Sequence, residues 1–195
     1  AFTDVFLTDF KYADAAIAAR ALELSFYGDL AQATIDNMIL TLNVDPEAQK
    51  EGAIEGTYTV IEKEIDKIGT SDMVKGTVVP GHLTKDENGD PVFGGSWYRL
   101  LANSDGEAQL GGMAPFTSGR VVIARDGESY TVDYQFVDDN ETTPHAITGT
   151  YTGPITFTNL GGGTEPDPGP GPDLKPDVDA SAGGQLSQWK PGGRW

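Results

Sequence analysis

The chain has 195 residues, with 30 acidic and 13 basic side chains and a net charge of −17. A surface this acidic repels phosphate backbones and anionic membranes, so we expect no nucleic-acid partner and no direct binding to a membrane surface. The sequence contains no cysteine, which excludes disulfides and cysteine zinc sites, and no apolar run approaches the roughly 20 residues that cross a bilayer.

Residues 1–160 are predicted to form one β-rich domain, followed by an arm over residues 161–195. The strand signals are apolar residues that alternate with polar ones and segments rich in aromatic and β-branched residues. The Ala-rich stretch Tyr12–Arg20 is predicted to hold at most a helical turn. In chain order, the predicted strands lie at Phe2–Leu7, Leu22–Phe26, Met38–Leu42, Val74–Val79, Ser96–Leu101, Arg120–Arg125, Tyr130–Phe136 and Ile155–Thr158.

Three segments rich in Asp, Asn and Gly predict turns: Asp86–Asp90, Asp126–Gly127 and Asp138–Asn140. The second joins Arg120–Arg125 to Ser129–Phe136, and this is the clearest hairpin in the sequence. Many short strands with regular turns favour an all-β fold, an antiparallel β-sandwich. A lipocalin-like closed barrel is the alternative, because the period of a strand does not distinguish a sandwich from a barrel.

A short sequence occurs twice in the chain. Ala53–Thr59 (AIEGTYT) returns as Ala146–Thr152 (AITGTYT), with six identities in seven positions. A repeated binding edge is one interpretation. We favour an equivalent strand in two related halves of the domain, because Thr-Tyr-Thr suits a strand and Gly suits a bulge or a close backbone approach.

Catalytic candidates are few. A nucleophilic mechanism needs a base, and the two histidines, His82 and His145, lie in turn-like sequences without a catalytic motif. Glu62, Glu64 and Asp66 would share one face of a strand, and a glycosidase needs two carboxyl groups about 5–9 Å apart, but the interleaved lysines favour a solvated edge. The sequence therefore predicts no enzyme activity and no catalytic residue.

A metal site is considered at one turn. Asp86, Asn88 and Asp90 have the alternating spacing of the first ligands of a calcium loop. Gly89 lies one residue too early for such a loop, and Gly95 follows too soon for the bidentate glutamate that closes it. A tight Asn-Gly turn explains the same residues without metal, so we predict no metal and no other cofactor.

The best candidates for contact with a small ligand are Trp97 and Tyr98. They are neighbours, so on a strand one faces the core and the other faces outward. An outward ring could stack on a sugar or hold a peptide. The alternative is that Trp97 is the core tryptophan of the sandwich.

The arm divides into a spacer and a terminal peptide. Gly161–Pro172 is rich in Pro and Gly and favours an extended polyproline conformation. Gln185–Trp195 combines aromatic and cationic side chains, the types that dominate interface hot spots. We predict a peptide that docks on a larger partner, and a disordered tail is the alternative. The predicted docking residues are Leu186, Trp189, Arg194 and Trp195.

The run Gly119–Val132, followed by Asp138-Asp139 and by Ile147–Ile155, resembles a pattern of surface lipoproteins of the Bacteroidetes. Some of these proteins come from outer-membrane nutrient-uptake loci of the SusC/SusD type. The pattern marks strands and turns, so the resemblance transfers no active-site residue. It implies an exported protein that an N-terminal lipidated cysteine tethers to the outer face of the outer membrane, and the sequence given lacks that cysteine.

Together these expectations describe a non-catalytic cell-surface lipoprotein. It would be an accessory subunit of an outer-membrane, TonB-dependent SusC/SusD-type uptake complex for glycans or peptides, docked on that complex or on another surface protein through its arm. The alternative is a fimbrial or adhesin-type structural subunit, whose tail would complete a neighbour's sheet by strand addition. The Pro and Gly content of the arm argues against that alternative. A secreted hydrolase would require an acid–base pair that the sequence does not show.

Overall fold

The computed structural model describes residues 1–10, 16–46, 53–104 and 107–158. Regular structure in these ranges is almost entirely β-strand, which confirms the all-β prediction, and Ile65–Lys67 forms one short 3-10 helix. The strands are β1 Phe2–Phe10, β2 Arg20–Gly28, β3 Thr34–Val44, β4 Gly56–Val60, β5 Thr77–Val78, β6 His82–Lys85, β7 Pro91–Gly94, β8 Trp97–Ser104, β9 Glu107–Pro115, β10 Ser118–Asp126, β11 Ser129–Val137, β12 Ala146–Gly153 and β13 Thr156–Thr158.

Eleven of these strands form one large sheet in the order β12-β11-β10-β4-β5-β3-β2-β1-β13. The β8–β9 hairpin branches from the first half of β3, while β5 pairs with the second half of the same strand. Two pairings are parallel, β1 with β13 and β4 with β5, and the others are antiparallel. Strands β6 and β7 form a separate hairpin.

The large sheet curls back on itself. Its two end strands, β12 and β13, are consecutive in the chain and are joined by Pro154 and Ile155. Aromatic rings from the two halves therefore meet across the interior: Phe26 contacts Tyr151 at a centroid distance of 5.8 Å, and Tyr130 contacts Phe157 at 6.1 Å. This architecture is consistent with a sandwich or a half-barrel. Among the described residues, β12 and β13 do not pair with each other as a closed barrel would require.

The core lies between the two halves of the curled sheet. Alternate residues of the central strands, such as β2, β3, β10 and β11, point into it, as the period of a strand demands. Phe116 and Phe136 stack in this core with ring centroids 4.3 Å apart. Burying a side chain of this size stabilises the fold by about 1.5–3 kcal/mol. Residues with no exposed surface include Leu7, Leu22, Leu24, Phe26, Met38, Leu40, Leu42, Ile54, Val78, Phe116, Val121 and Val132.

The repeated sequence occupies equivalent positions in the sheet. The last four residues of its first copy lie in β4 and the whole second copy lies in β12, and these strands flank the β10–β11 hairpin on its two sides. Tyr58 and Tyr151 both point into the core, where they are 4% and 7% exposed. The preceding glycine of the second copy, Gly149, allows a close approach, because a Cβ there would lie 2.3 Å from the hydroxyl of Tyr134.

Most predicted strands are confirmed, including the β10–β11 hairpin. Its two-residue turn is at Gly127 and Glu128, one residue later than the predicted Asp126–Gly127, because Asp126 pairs with Ser129. The strand predicted over Val74–Val79 is shorter, because it pairs only at Thr77–Val78. Strands β6, β7 and β9 were not predicted. The possible strand over residues 62–66 is wrong, since β4 ends at Val60 and a 3-10 helix follows. Part of the predicted helical turn at Tyr12–Arg20, and the whole arm over residues 161–195, lie outside the described residues.

Candidate functional site

The outer face of β10, β11 and β12 carries a shallow groove of about 410 Å³. Arg120 on β10 lies opposite Gln135 on β11, which lies opposite Thr148 on β12. These three side chains form one row across the strands, and all three are exposed. The volume lies within the range of small-ligand sites, roughly 300–1,000 Å³.

A second row runs parallel to the first. It consists of Val122, Asp133 and Thr150, again one residue from each strand. The hydroxyl of Thr150 donates to Asp133 Oδ1 at 2.5 Å, and Val122 is 37% exposed. The groove thus combines one apolar side chain with a fixed carboxylate and with the polar row of Arg120.

Two polar side chains of the groove are uncommitted. Within the described ranges, Arg120 and Gln135 form no side-chain hydrogen bond and no ion pair. Arg120 offers five N–H donors, and the amide of Gln135 both donates and accepts. A face of this kind can bind a hydroxyl-rich or amide-rich ligand through side chains held on rigid strands.

The floor of the groove is packed against the core. Tyr134 is half-buried, with its ring 6.2 Å from that of Phe2 and 6.5 Å from that of Phe136. Burial, and then the charge of Asp36, raises the pKa of Tyr134. Gly149 leaves room for its hydroxyl. This packing fixes the strands that carry both rows.

The two predicted ligand-binding aromatics lie on opposite faces of β8. Trp97 is 7% exposed, its indole N–H donates to the carbonyl of Gly94 at 2.6 Å, and Phe93 contacts it edge-on at 5.6 Å. Tyr98 packs against the core, and its hydroxyl donates to Asp36. Neither ring lies in the groove. A ligand role for Trp97 and Tyr98 stays a prediction, with little of the Trp97 ring open to stacking.

The four predicted docking residues, Leu186, Trp189, Arg194 and Trp195, lie outside the described residues. Their role in docking stays a prediction.

The histidines have structural hydrogen bonds. His145 Nδ1 lies 2.7 Å from Asp138 Oδ2, and the backbone N–H of His145 donates to Asp138 Oδ1 at 2.8 Å. Burial is the largest single effect on the pKa of Asp138 and raises it, but the hydrogen bonds from His145 and Asn140 together outweigh burial, so the pKa is lowered. His82 is half-buried, with Nδ1 3.0 Å from the carbonyl oxygen of Pro80. In the described residues, no serine or threonine hydroxyl bonds to either imidazole, so we interpret both as loop-ordering residues.

The Asp86–Asp90 segment forms the turn between β6 and β7. Asp86 Oδ1 accepts the backbone N–H groups of Asn88 at 2.8 Å and of Asp90 at 2.9 Å. These hydrogen bonds lower the pKa of Asp86. Gly89 adopts a φ of 86°, which favours glycine. The described part of the chain contains no group of three or more His, Asp or Glu side chains suited to a metal.

The sequence analysis missed the groove. Its residues are the outward positions of the predicted hairpin and of the second repeat, so their shared face could have been inferred from the strand period. What the sequence does not give is the register that brings Arg120, Gln135 and Thr148 into one row.

Comparisons with protein-family models, with curated proteins and with solved structures find no match for this chain. In the described residues, no helix is long and apolar enough to span a membrane.

Proposed function

We propose that the protein is a non-catalytic binding subunit of a cell-surface assembly. In this proposal it is a lipid-anchored accessory protein on the extracellular face of the outer membrane, and it docks on a SusC/SusD-type uptake complex through the arm at residues 161–195. The groove on β10–β12 contacts the glycan or peptide ligand. The resemblance over Gly119–Ile155 supports the setting, and the same segment forms the groove.

The single observation that carries the binding role is the polar row of the groove. Arg120, Gln135 and Thr148 are exposed on three adjacent paired strands. The paired strands fix the backbone positions of these residues, so ligand binding orders only their side chains, at about 0.5–1.5 kcal/mol for each long one. A row of donors and acceptors across neighbouring strands fits an extended polar polymer better than a small apolar molecule.

The test is a binding screen with a glycan array and a peptide library, comparing the wild-type chain with Arg120→Ala/Gln135→Ala. We expect at least a tenfold loss of affinity, because each lost hydrogen bond to a ligand contributes about 0.5–1.5 kcal/mol, and more when one partner is charged. Lys85→Ala on β6 is the matched control, since it also removes an exposed cation. Both variants should melt within the small range typical of surface substitutions.

Binding that the double variant retains in full would rule out the groove as the ligand site. An equal loss in Lys85→Ala would show that net charge, rather than the row, governs binding.

A further inference from the structure

A second polar cluster lies on the face of β2, β3 and β8 that points away from the core. Arg99 on β8 is opposite Asn37 on β3, which is opposite Tyr27 on β2. Glu23 shares the face of Tyr27, because residues four apart on a strand point the same way. We call Glu23, Tyr27, Asn37 and Arg99 the β2–β8 cluster.

This face is recessed, unlike the outer face that carries the groove. Asn37 has no exposed surface, and Ser25 and Trp97, which belong to the next row, are each 7% exposed. The charged side chains of Glu23 and Arg99 are half-buried. The cluster therefore places two opposite charges in a largely desolvated environment.

The hydrogen bonds orient the guanidinium of Arg99. Its Nε donates to Asn37 Oδ1 at 2.8 Å, and Asn37 Nδ2 donates to the carbonyl of Phe26 at 2.9 Å. Asn37 thus fixes one edge of the guanidinium and leaves the terminal nitrogens directed elsewhere. Among the described residues, Arg99 forms no ion pair, and its terminal nitrogens have no hydrogen-bond partner.

Glu23 is equally uncommitted. Its carboxylate accepts one hydrogen bond, from Ser25 Oγ at 3.1 Å, and it pairs with no cation in the described part of the chain. Burial raises the pKa of Glu23, against smaller opposing effects of Ser25 and of the charge of Arg99. Burial likewise lowers the pKa of Arg99. A half-buried charge without a close partner is costly for folding, and such groups concentrate at functional sites.

We propose that the β2–β8 cluster binds a ligand that carries a carboxylate beside a hydroxyl or ammonium group. The terminal nitrogens of Arg99 hold the carboxylate as a two-pronged donor, the geometry in which arginine recognises carboxylates. Glu23 accepts from the hydroxyl or ammonium group, and Tyr27 lies in the same row as Arg99, with Asn37 between them. An acidic sugar, which carries a carboxylate and hydroxyl groups, and a dipeptide, which carries a carboxylate and an ammonium group, share this chemistry. The site is distinct from the groove and does not depend on it.

The first test uses the wild-type chain and follows the Nε–H resonance of Arg99 by NMR. The probes are D-galacturonate with D-galactose as its neutral match, and glycylglycine with glycylglycinamide, which lacks the carboxylate. We expect the carboxylate probes to shift this resonance and their matched controls to leave it unchanged. The probe that binds more tightly shows whether the ligand is an acidic sugar or a peptide. A weak site has a Kd of about 1 mM, so a probe at about 10 mM should occupy it. If neither carboxylate probe shifts the resonance at that concentration, the proposal is overturned.

The second test uses substitutions. Arg99→Gln should weaken binding of the responding probe roughly 10- to 100-fold, as expected for loss of a charged hydrogen-bond partner, and Arg99→Lys should give an intermediate loss because it keeps the charge without the fork. Glu23→Gln should weaken binding less, and Lys85→Gln on β6, which removes an exposed cation outside both the cluster and the groove, should not change it. If Arg99→Gln does not fold, the shift of the wild-type Arg99 resonance and the affinity of Glu23→Gln still test the proposal. Unchanged affinity in Arg99→Lys and Glu23→Gln, or an equal loss in Lys85→Gln, would contradict the site.

Discussion

Replacing Tyr58 by phenylalanine tests how the first copy of the repeat is held in the core. Tyr58 is 4% exposed, and its hydroxyl donates to the carbonyl of Ile54 at 2.9 Å. Tyr58→Phe removes that hydrogen bond and leaves a buried carbonyl oxygen without it. We expect the free energy of unfolding to fall by about 1 kcal/mol at pH 7.

The same substitution has the opposite effect at high pH. Burial, with a smaller effect of Glu55, raises the pKa of Tyr58 to about 12 from the ordinary value of 10.0. The unfolded tyrosine therefore loses its proton first, and the stabilisation that is complete below pH 10 declines as the pH rises through the folded pKa. Two pKa units correspond to about 2.7 kcal/mol, which is lost between about pH 10 and 12.

The measurement is urea unfolding followed by tryptophan fluorescence for wild type and Tyr58→Phe at several pH values. The stability curves of the two proteins should cross at about pH 10.5–11, where the pH-dependent loss equals the hydrogen-bond term. Tyr151→Phe in the second repeat is the matched variant, because its hydroxyl donates to the carbonyl of Pro154 and burial raises its pKa too. Parallel curves for wild type and Tyr58→Phe from pH 7 to 12 would refute the reasoning.

Two further substitutions test the packing beneath the groove and the loop after β11. Gly149→Ala would place a Cβ 2.3 Å from the hydroxyl of Tyr134, so we expect the free energy of unfolding, followed by thermal melts, to fall by about 1–3 kcal/mol. Gly69→Ala is the control and should change stability little, because the nearest contacts of a Cβ there are at 3.9 Å. Asp138→Asn should lower stability at pH 7, and, because the pKa of Asp138 is lowered in the fold, the difference from wild type should shrink as the pH falls through that pKa. Asp139→Asn, with an exposed side chain, is the control, and a constant difference across that pH range would contradict the second prediction.

The sequence predicts the inward strands well because burial imposes a period of two on their apolar residues. Leu22, Leu24 and Phe26 alternate and are all buried, and the turn predicted at Asp126-Gly127 lies one residue later, at Gly127-Glu128, where it leads into β11. Strand β9 escaped prediction because its sequence, EAQLGGMAP, combines two glycines with few β-branched residues. It forms a strand because the long β8 supplies a partner.

The candidate sites were harder to predict than the strands. Trp97 draws attention as an aromatic residue, yet it is held in place by Gly94 and Phe93. The groove and the β2–β8 cluster consist of common polar residues at outward positions. These residues can be recognised as sites only once the strand register and the burial of Asn37 and Arg99 are known. Both depend on the long-range pairing of β3 with β8 and not on local sequence.

The most direct test of the proposed function is affinity purification from native membranes. The full-length protein is compared with a chain that ends at residue 160, and the co-purifying proteins are identified by mass spectrometry. The proposal predicts that an outer-membrane transporter co-purifies with the full-length protein and is lost with the arm. No partner with the full-length protein would contradict a role in such an assembly, and equal recovery with both chains would contradict docking through the arm.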